Sequence, residues 1–206
     1  VVSKQLGIPF RVVNLMTEYR EKVVKYLLEG YQAGITPNPD VMCNREIKFK
    51  TFPEHATDLG ADRIATGHYV QSDCRDGVHR LLRGRDANKD QSYFLHTIGQ
   101  QQLARTLFPV GGLRKPAVRA AAAAAGLPVH DKKDSTGICF IGERNFRTFL
   151  ASYIPPAPGE IRTPEGRLLG EHAGLSHYTR GQRQGLSIGG VRGLADAPWY
   201  VLHKDL

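Results

Sequence analysis

A chain of 206 residues with 41% hydrophobic and 23% charged residues has room for one large domain, or one medium and one small, around a real core. No apolar run approaches the roughly 20 residues of a membrane span, and no signal-peptide pattern opens the chain, which argues against membrane and secretory classes and for the cytoplasm. The net charge of +8, from 28 Lys+Arg against 20 Asp+Glu, favours a polyanionic partner but does not separate nucleic acid from a solubilising surface.

The opening residue is Val1 and the first residues read as the middle of a helix, so the natural N-terminus is expected upstream. Val1 to Leu6 is a helix end closed by Gly7 with Pro9 beyond. Phe10 to Leu15 reads as a buried strand. Thr17 is then expected to cap a helix carrying Val23, Val24, Leu27, Leu28 and Tyr31 on one face. Gly30 and Gly34 mark its end.

The stretch Gly34-Ile35-Thr36-Pro37-Asn38-Pro39-Asp40-Val41-Met42-Cys43-Asn44 is chemically unusual. Pro37 and Pro39 bracket Asn38, which predicts a stiff loop that joins neither helix nor ladder. A helix is expected from Asn44, a good N-cap residue, to Gly60, kinked or divided at Pro53. Cys43 would then face the positive end of a helix dipole near Arg45 and Lys48, which favours the thiolate. A buried, inert cysteine beside a proline turn fits this stretch equally well.

Asp62 to Thr66 reads as a short strand running into Gly67-His68-Tyr69. Strand, helix and strand in this order predict a parallel α/β sheet with ligands gathered at the carboxyl ends of its strands, where Gly67 and His68 fall. A plain turn with a surface histidine is the bland alternative. Tyr69 to Gly84 is a hairpin turning at Asp76-Gly77, with Cys74 structural or incidental and Arg80, Arg83 and Arg85 as a basic rim. Lys89-Asp90-Gln91-Ser92-Tyr93-Phe94 either meets a ligand or caps the apolar segment after it. Helices are expected over 101–107 and 116–125, the second stopped by Gly126.

The glycines of Asp134-Ser135-Thr136-Gly137-Ile138-Cys139-Phe140-Ile141-Gly142 permit tight turns that would aim Cys139 into a cleft. A helix over 143–153 precedes a proline-rich linker at 155–159. Glycine-rich short strands come next, with a turn at Thr163-Pro164-Glu165-Gly166, as at the start of a small β-barrel. The strand-like Trp199 to Leu202 would leave an open barrel edge, so truncation is expected at this end too. Three widely spaced cysteines without a C-x-x-C pair argue against zinc or any bound metal centre and fit a reducing compartment.

Five of these stretches together resemble one family, the MnmA-type tRNA-specific 2-thiouridylases. They are 34–44, Ala65-Thr66-Gly67-His68-Tyr69, Lys89-Asp90-Gln91-Ser92-Tyr93-Phe94, Asp134 to Arg144, and Gly181-Gln182-Arg183 with Pro198-Trp199-Tyr200. The resemblance implies an α/β fold: a partial PP-loop (adenine nucleotide alpha hydrolase-like) parallel-sheet domain over 1–88, a mainly helical continuation over 89–154 carrying the Cys139 loop, and an incomplete β-barrel module over 155–206. It implies ATP-dependent sulfur transfer to C2 of the wobble uridine through an adenylated intermediate, with Mg2+ accompanying ATP. Cys139 resembles the persulfide carrier, loaded by an upstream sulfur-relay protein or cysteine desulfurase. Cys43 resembles the nucleophile, able to form a disulfide with Cys139 as sulfur leaves.

Asn38, Pro39 and Asp40 resemble the segment that contacts the target base, with Asp40 as acid/base. Gly67 matches a position near ATP, and His68, Lys89, Asp90 and Gln91 match positions that touch the anticodon stem-loop of tRNA. The residues agree with these roles: sulfur transfer needs a carrier thiol and a second thiol to resolve it. A uridine taken out of its stack needs a pocket to receive it. The departure is the family's Ser-Gly-Gly-x-Asp-Ser loop, absent from this sequence, whose first glycine is Gly7. The chain alone is therefore expected not to adenylate uridine. A non-catalytic tRNA-binding fragment, a thiol redox protein switching on Cys43 and Cys139, and a PP-loop amidotransferase or lysidine-forming enzyme are the competing classes.

Overall fold

The computed structural model describes residues 1–134, 145–189 and 197–206. The chain divides into two compact units, Val1–Val23 with Pro39–Gly142, and Val24–Asn38 with Glu143–Leu206. The predicted role of Cys139 lies outside the described residues.

The first unit opens with a single helical turn, Val2–Gln5, which Gly7 closes at φ 64° as the sequence predicts. Phe10 to Leu15 is not a strand. Phe10 and Val12 are 74% and 80% exposed, and only Leu15 of this segment is buried. Apolar character alone makes no strand where no ladder partner is at hand, and the segment has none among the described residues. The helix after it starts at Met16, not beyond a Thr17 cap, and Asn14 Oδ1 accepts from the Met16 backbone N–H at 3.1 Å.

A longer helical run begins at Pro39, ahead of the expected start at Asn44. It comprises Pro39–Cys43 in α form, Asn44–Thr51 in π form and Phe52–Asp58 in α form again. Proline suits the first helical position because its missing N–H would be unsatisfied there and its φ is already helical, so Pro39 starts this helix instead of blocking it. Pro53 does divide the run as predicted, and the hydrogen-bond register returns to α around it.

Strand β1 (Ile64–Ala65) precedes a hairpin of β2 (Val70–Arg75) and β3 (Val78–Arg83), and β4 (Thr106–Leu107) comes after it. The hairpin turns at Asp76 and Gly77, with φ of 50° and 77°, as its Asp-Gly signature predicts. Across it Arg80 Nε donates to Asp73 Oδ1 at 2.7 Å, so one member of the expected basic rim is balanced. The parallel pairing runs from β1 to β4, in register Ile64 to Thr106 and Ala65 to Leu107. The helix expected over 101–107 is thus shorter, Gln100–Ala104, and yields to a strand. Phe49, Val70 and Leu95 form the core, with Ile64, Leu81, Phe94, Ile98 and Phe108 packed on it. The helix Lys115–Ala124 is stopped by Gly126 at φ 64°.

The second unit holds the helix Lys25–Gln32, which buries Leu27, and the helix Phe146–Ala151, which buries Leu150. Asn145 caps the latter, accepting from the N–H groups of Arg147 and Thr148 at 3.0 and 3.3 Å. Tyr31 and Phe146 pack with ring centroids 5.9 Å apart. Strands β5 (Gly159–Arg162) and β6 (Leu168–His172) pair antiparallel around the Thr163 to Gly166 turn. Val201 exchanges backbone hydrogen bonds with Gly181 and Gln182. Among the described residues no helix is long and apolar enough to cross a membrane.

Candidate active site

Helix geometry places Asp40 and Cys43, three residues apart in Pro39–Cys43, on one face about a turn from each other. Asp40 occupies the first turn, where the helix dipole favours a carboxylate. Cys43 is fully buried. Its φ of −60° and ψ of −43° are helical, so Cys43 lies inside the helix and not before its N-terminus. Asn44 likewise is an interior residue and not a cap. It is buried, its Nδ2 donating to the Phe94 carbonyl at 3.4 Å, while its Oδ1 has no hydrogen-bond partner among the described residues.

Arg45, expected near Cys43, donates its Nε to Glu46 Oε1 at 2.8 Å. Asn38 precedes the helix and is exposed, whereas Pro39 and Asp40 are half-buried.

Gly67 to Tyr69 leaves β1 toward β2. Gly67 is exposed, and a Cβ built on it would meet no atom within 4 Å among the described residues, so none of them demands glycine there for packing. A bare backbone edge with open space over it is what close approach of a nucleotide needs. Next to it His68 is buried, its Nδ1 2.6 Å from Thr66 Oγ1 and its ring 5.7 Å from that of Phe49. Burial, reinforced by the positive charge of Lys48, pulls its pKa down to about 4, so the imidazole is neutral at physiological pH.

The loop Lys89-Asp90-Gln91 is tied to this turn. Gln91 Oε1 accepts from the Tyr69 N–H at 3.0 Å, and the Gln91 N–H donates to the Tyr69 carbonyl at 3.2 Å. Asp90 Oδ1 accepts from the N–H groups of Gly84 and Ser92 at 2.9 and 3.3 Å, and its Oδ2 accepts from Ser92 Oγ at 2.8 Å. Burial acts to raise the Asp90 pKa, yet these bonds outweigh it and hold the carboxyl below its ordinary value. Asp90 and Gln91 therefore shape the loop, while Lys89 projects from it toward Asp134, with Nζ 2.7 Å from Oδ2.

Sequence reasoning misses Gly84 and Gly111, where an added Cβ would lie 2.3 Å from the Tyr69 carbonyl oxygen and 1.6 Å from that of Val70. Those contacts hold two loops against the His68 to Val70 segment, and only proximity in the fold reveals them. A cavity of about 890 Å³ lined by Phe49, Thr57, Arg63, Gln102 and Arg105 contains none of the candidate site residues expected from sequence. No group of three or more His, Cys, Asp or Glu side chains is placed to hold a metal ion among the described residues.

Residues 1–143 match the family model described as tRNA methyl transferase HUP domain, and residues 147–206 match tRNA methyl transferase PRC-barrel domain. Similar curated proteins include the tRNA-specific 2-thiouridylase MnmA of Nitrosococcus oceani, 58% identical over 205 residues covering 100% of this chain and 56% of that protein. The same enzyme of Pseudomonas putida is 58% identical, covering 100% and 55%. That of Xanthomonas campestris pv. campestris is 61% identical over 201 residues, covering 98% and 53%. The chain spans about half the length of the curated relatives it matches.

Proposed function

Since the chain belongs to the MnmA-type tRNA-specific 2-thiouridylase family and comprises its HUP-type α/β and PRC-barrel parts, we propose that it takes part in 2-thiolation of uridine in tRNA. The observation that carries this reading is the pairing of Asp40 with Cys43 on one face of a helix that starts at Pro39. Methyl transfer occurs only in the wording of the domain descriptions, whereas the relatives are named for thiolation.

In the finer reading the target is the wobble uridine, displaced from its stack and received by Asn38, Pro39 and Asp40. ATP supplies, when bound near Gly67 with Mg2+ as its counter-ion, the activation that turns the uridine 2-oxygen into a leaving group. Cys139 carries a persulfide whose outer sulfur attacks C2, and the activated oxygen departs with its bonding pair. The Cys43 thiolate then attacks the inner sulfur of Cys139, which breaks the S–S bond, forms a Cys43–Cys139 disulfide and leaves C2=S on the base. Asp40 takes the thiol proton from its own helix face. An external dithiol reduces the disulfide, and an upstream sulfur-relay protein or cysteine desulfurase reloads Cys139.

Neutral His68 and the Lys89 to Gln91 loop contact tRNA. The fold would carry a nucleotide-binding part over 1–88, a connecting part over 89–154 and a barrel module from 155. With no Ser-Gly-Gly-x-Asp-Ser loop in its sequence, the chain by itself is expected to release no pyrophosphate from ATP and tRNA.

The test is nucleoside analysis of tRNA from cells lacking the full-length gene, complemented with wild type, Asp40→Asn, Cys43→Ser or Cys139→Ser. Wild type restores 2-thiouridine and the cysteine variants do not. Persistence of the thionucleoside in both cysteine variants would remove the sulfur-transfer assignment.

A further inference from the structure

Both oxygens of Asp134 are occupied by cations from distant parts of the first unit. Lys89 Nζ is 2.7 Å from Oδ2, Lys115 Nζ is 2.9 Å from Oδ1, and an Arg119 terminal nitrogen is 3.7 Å from Oδ1. Hydrogen bonds from Lys89 and Lys115 hold the Asp134 carboxyl down at about 2, so it is anionic at any pH at which RNA binds. The side chains around it are 27% to 41% exposed, so solvent reaches the cluster.

Two of the cations have second anchors. Lys115 Nζ sits 5.4 Å from the centre of the Tyr69 ring, and the Arg119 guanidinium also donates to the Lys132 carbonyl at 3.1 Å. The neighbouring acid Asp86 is engaged with backbone, its Oδ2 accepting from the Lys115 N–H at 2.9 Å and its Oδ1 from the Asn88 N–H at 3.1 Å, although its charge still acts on Lys89. Lys115 and Arg119 are therefore held in place around an oxyanion by more than that oxyanion.

A carboxylate and a phosphodiester each present two oxygens sharing one negative charge, and Arg and Lys recognise both. Ion pairs as exposed as these contribute little to stability, so the anion among them can be exchanged. We propose that Lys89, Lys115 and Arg119 form a binding site for a backbone phosphodiester of tRNA, and that Asp134 is the internal anion that fills the site until RNA displaces it. The inference rests on the function proposed above and adds to it Lys115 and Arg119 as ligands and Asp134 as a built-in competitor. A merely structural cluster would lose from removal of any member, whereas a competitor predicts a gain from removing Asp134.

The test is binding of unmodified tRNA to the full-length protein over about 50–300 mM salt, a range in which phosphate contacts dominate affinity. Lys115→Gln and Arg119→Gln should each flatten the plot of log Kd against log salt by about one contact. Asp134→Asn should tighten binding about twofold to fivefold at low salt, the worth of an exposed ion pair. Unchanged slopes in both cation variants, or weaker binding by a folded Asp134→Asn, overturn the proposal. If Asp134→Asn does not fold, Arg119→Gln decides alone, because Arg119 is the most distant of the cations. ATP affinity is measured in parallel, and its loss with tRNA affinity intact would give the site to a nucleotide and overturn the proposal. Failure of the wild type to bind tRNA at all would instead strike the function proposed above.

Discussion

Gln91 and Tyr69 hold each other through two hydrogen bonds, side-chain Oε1 to one backbone N–H and backbone N–H to the other residue's carbonyl. The pair joins the Gly67-His68-Tyr69 turn to the Lys89-Asp90-Gln91 loop, so two segments 22 residues apart in sequence are tied together. Replacing Gln91 with Ala leaves the buried Tyr69 N–H unpaired, which costs about 1–3 kcal/mol. Chemical denaturation of Gln91→Ala should show a loss in that range, and amide exchange at Tyr69 should accelerate more than elsewhere. A Tyr69 amide as protected as in the wild type would show that the bond contributes nothing.

His68 makes stability depend on acid. Its pKa is near 6.5 when unfolded and about 4 when folded, so between those values the unfolded chain binds more protons. The stabilisation is complete above about pH 6.5 and is lost as pH falls toward 4, and the gap between the two values implies about 3 kcal/mol. His68→Gln should flatten the stability profile between pH 7 and pH 4 relative to wild type, as followed by melting temperature at each pH. An unchanged profile would assign the acid sensitivity to other groups.

Gly67 and Gly111 should respond oppositely to alanine. At Gly111 the new methyl would be driven into the Val70 carbonyl, so the loop or β2 must shift, and Gly111→Ala should destabilise the fold by several kcal/mol. At Gly67 the methyl meets no atom of the described residues, and Gly67→Ala should melt within about a degree or two of wild type. If the backbone there meets a nucleotide, Gly67→Ala in the full-length protein weakens ATP binding by about tenfold or more, read by isothermal titration. Unaltered ATP affinity would leave Gly67 as an ordinary turn residue.

Local signals survive folding where one or two residues set the geometry. Gly7, Asp76-Gly77 and Gly126 stop or turn the chain where the sequence places them, because a positive φ needs no tertiary support to be predicted. The helix start at Pro39 is hidden in the sequence because proline both breaks helices and begins them, and only its position relative to the first turn separates the two. Phe10 to Leu15 has strand-like composition, but strand formation depends on a neighbour the segment does not have among the described residues. At the site, the motif residues are visible in sequence, and the neutrality of His68 is not, since it arises from burial against Phe49 and the charge of Lys48. The gathering of Lys89, Lys115 and Arg119 on Asp134 is equally invisible, because its members lie far from that carboxylate along the chain.

The π-helical passage from Asn44 to Thr51 sets a rotational phase between the face carrying Asp40 and Cys43 and the core. Each wide turn takes up about one residue more than an α turn, and one residue corresponds to roughly 100° of rotation. Phe49 therefore anchors in the core at an angle that an all-α helix from Pro39 would not give it, and the azimuth of Asp40 and Cys43 is fixed by the same offset. Losing or gaining a single residue in this passage would swing the carboxylate and the thiol around the axis without altering either of them. Spacing along the passage therefore fixes where the Asp40 and Cys43 side chains point as tightly as their own rotamers do.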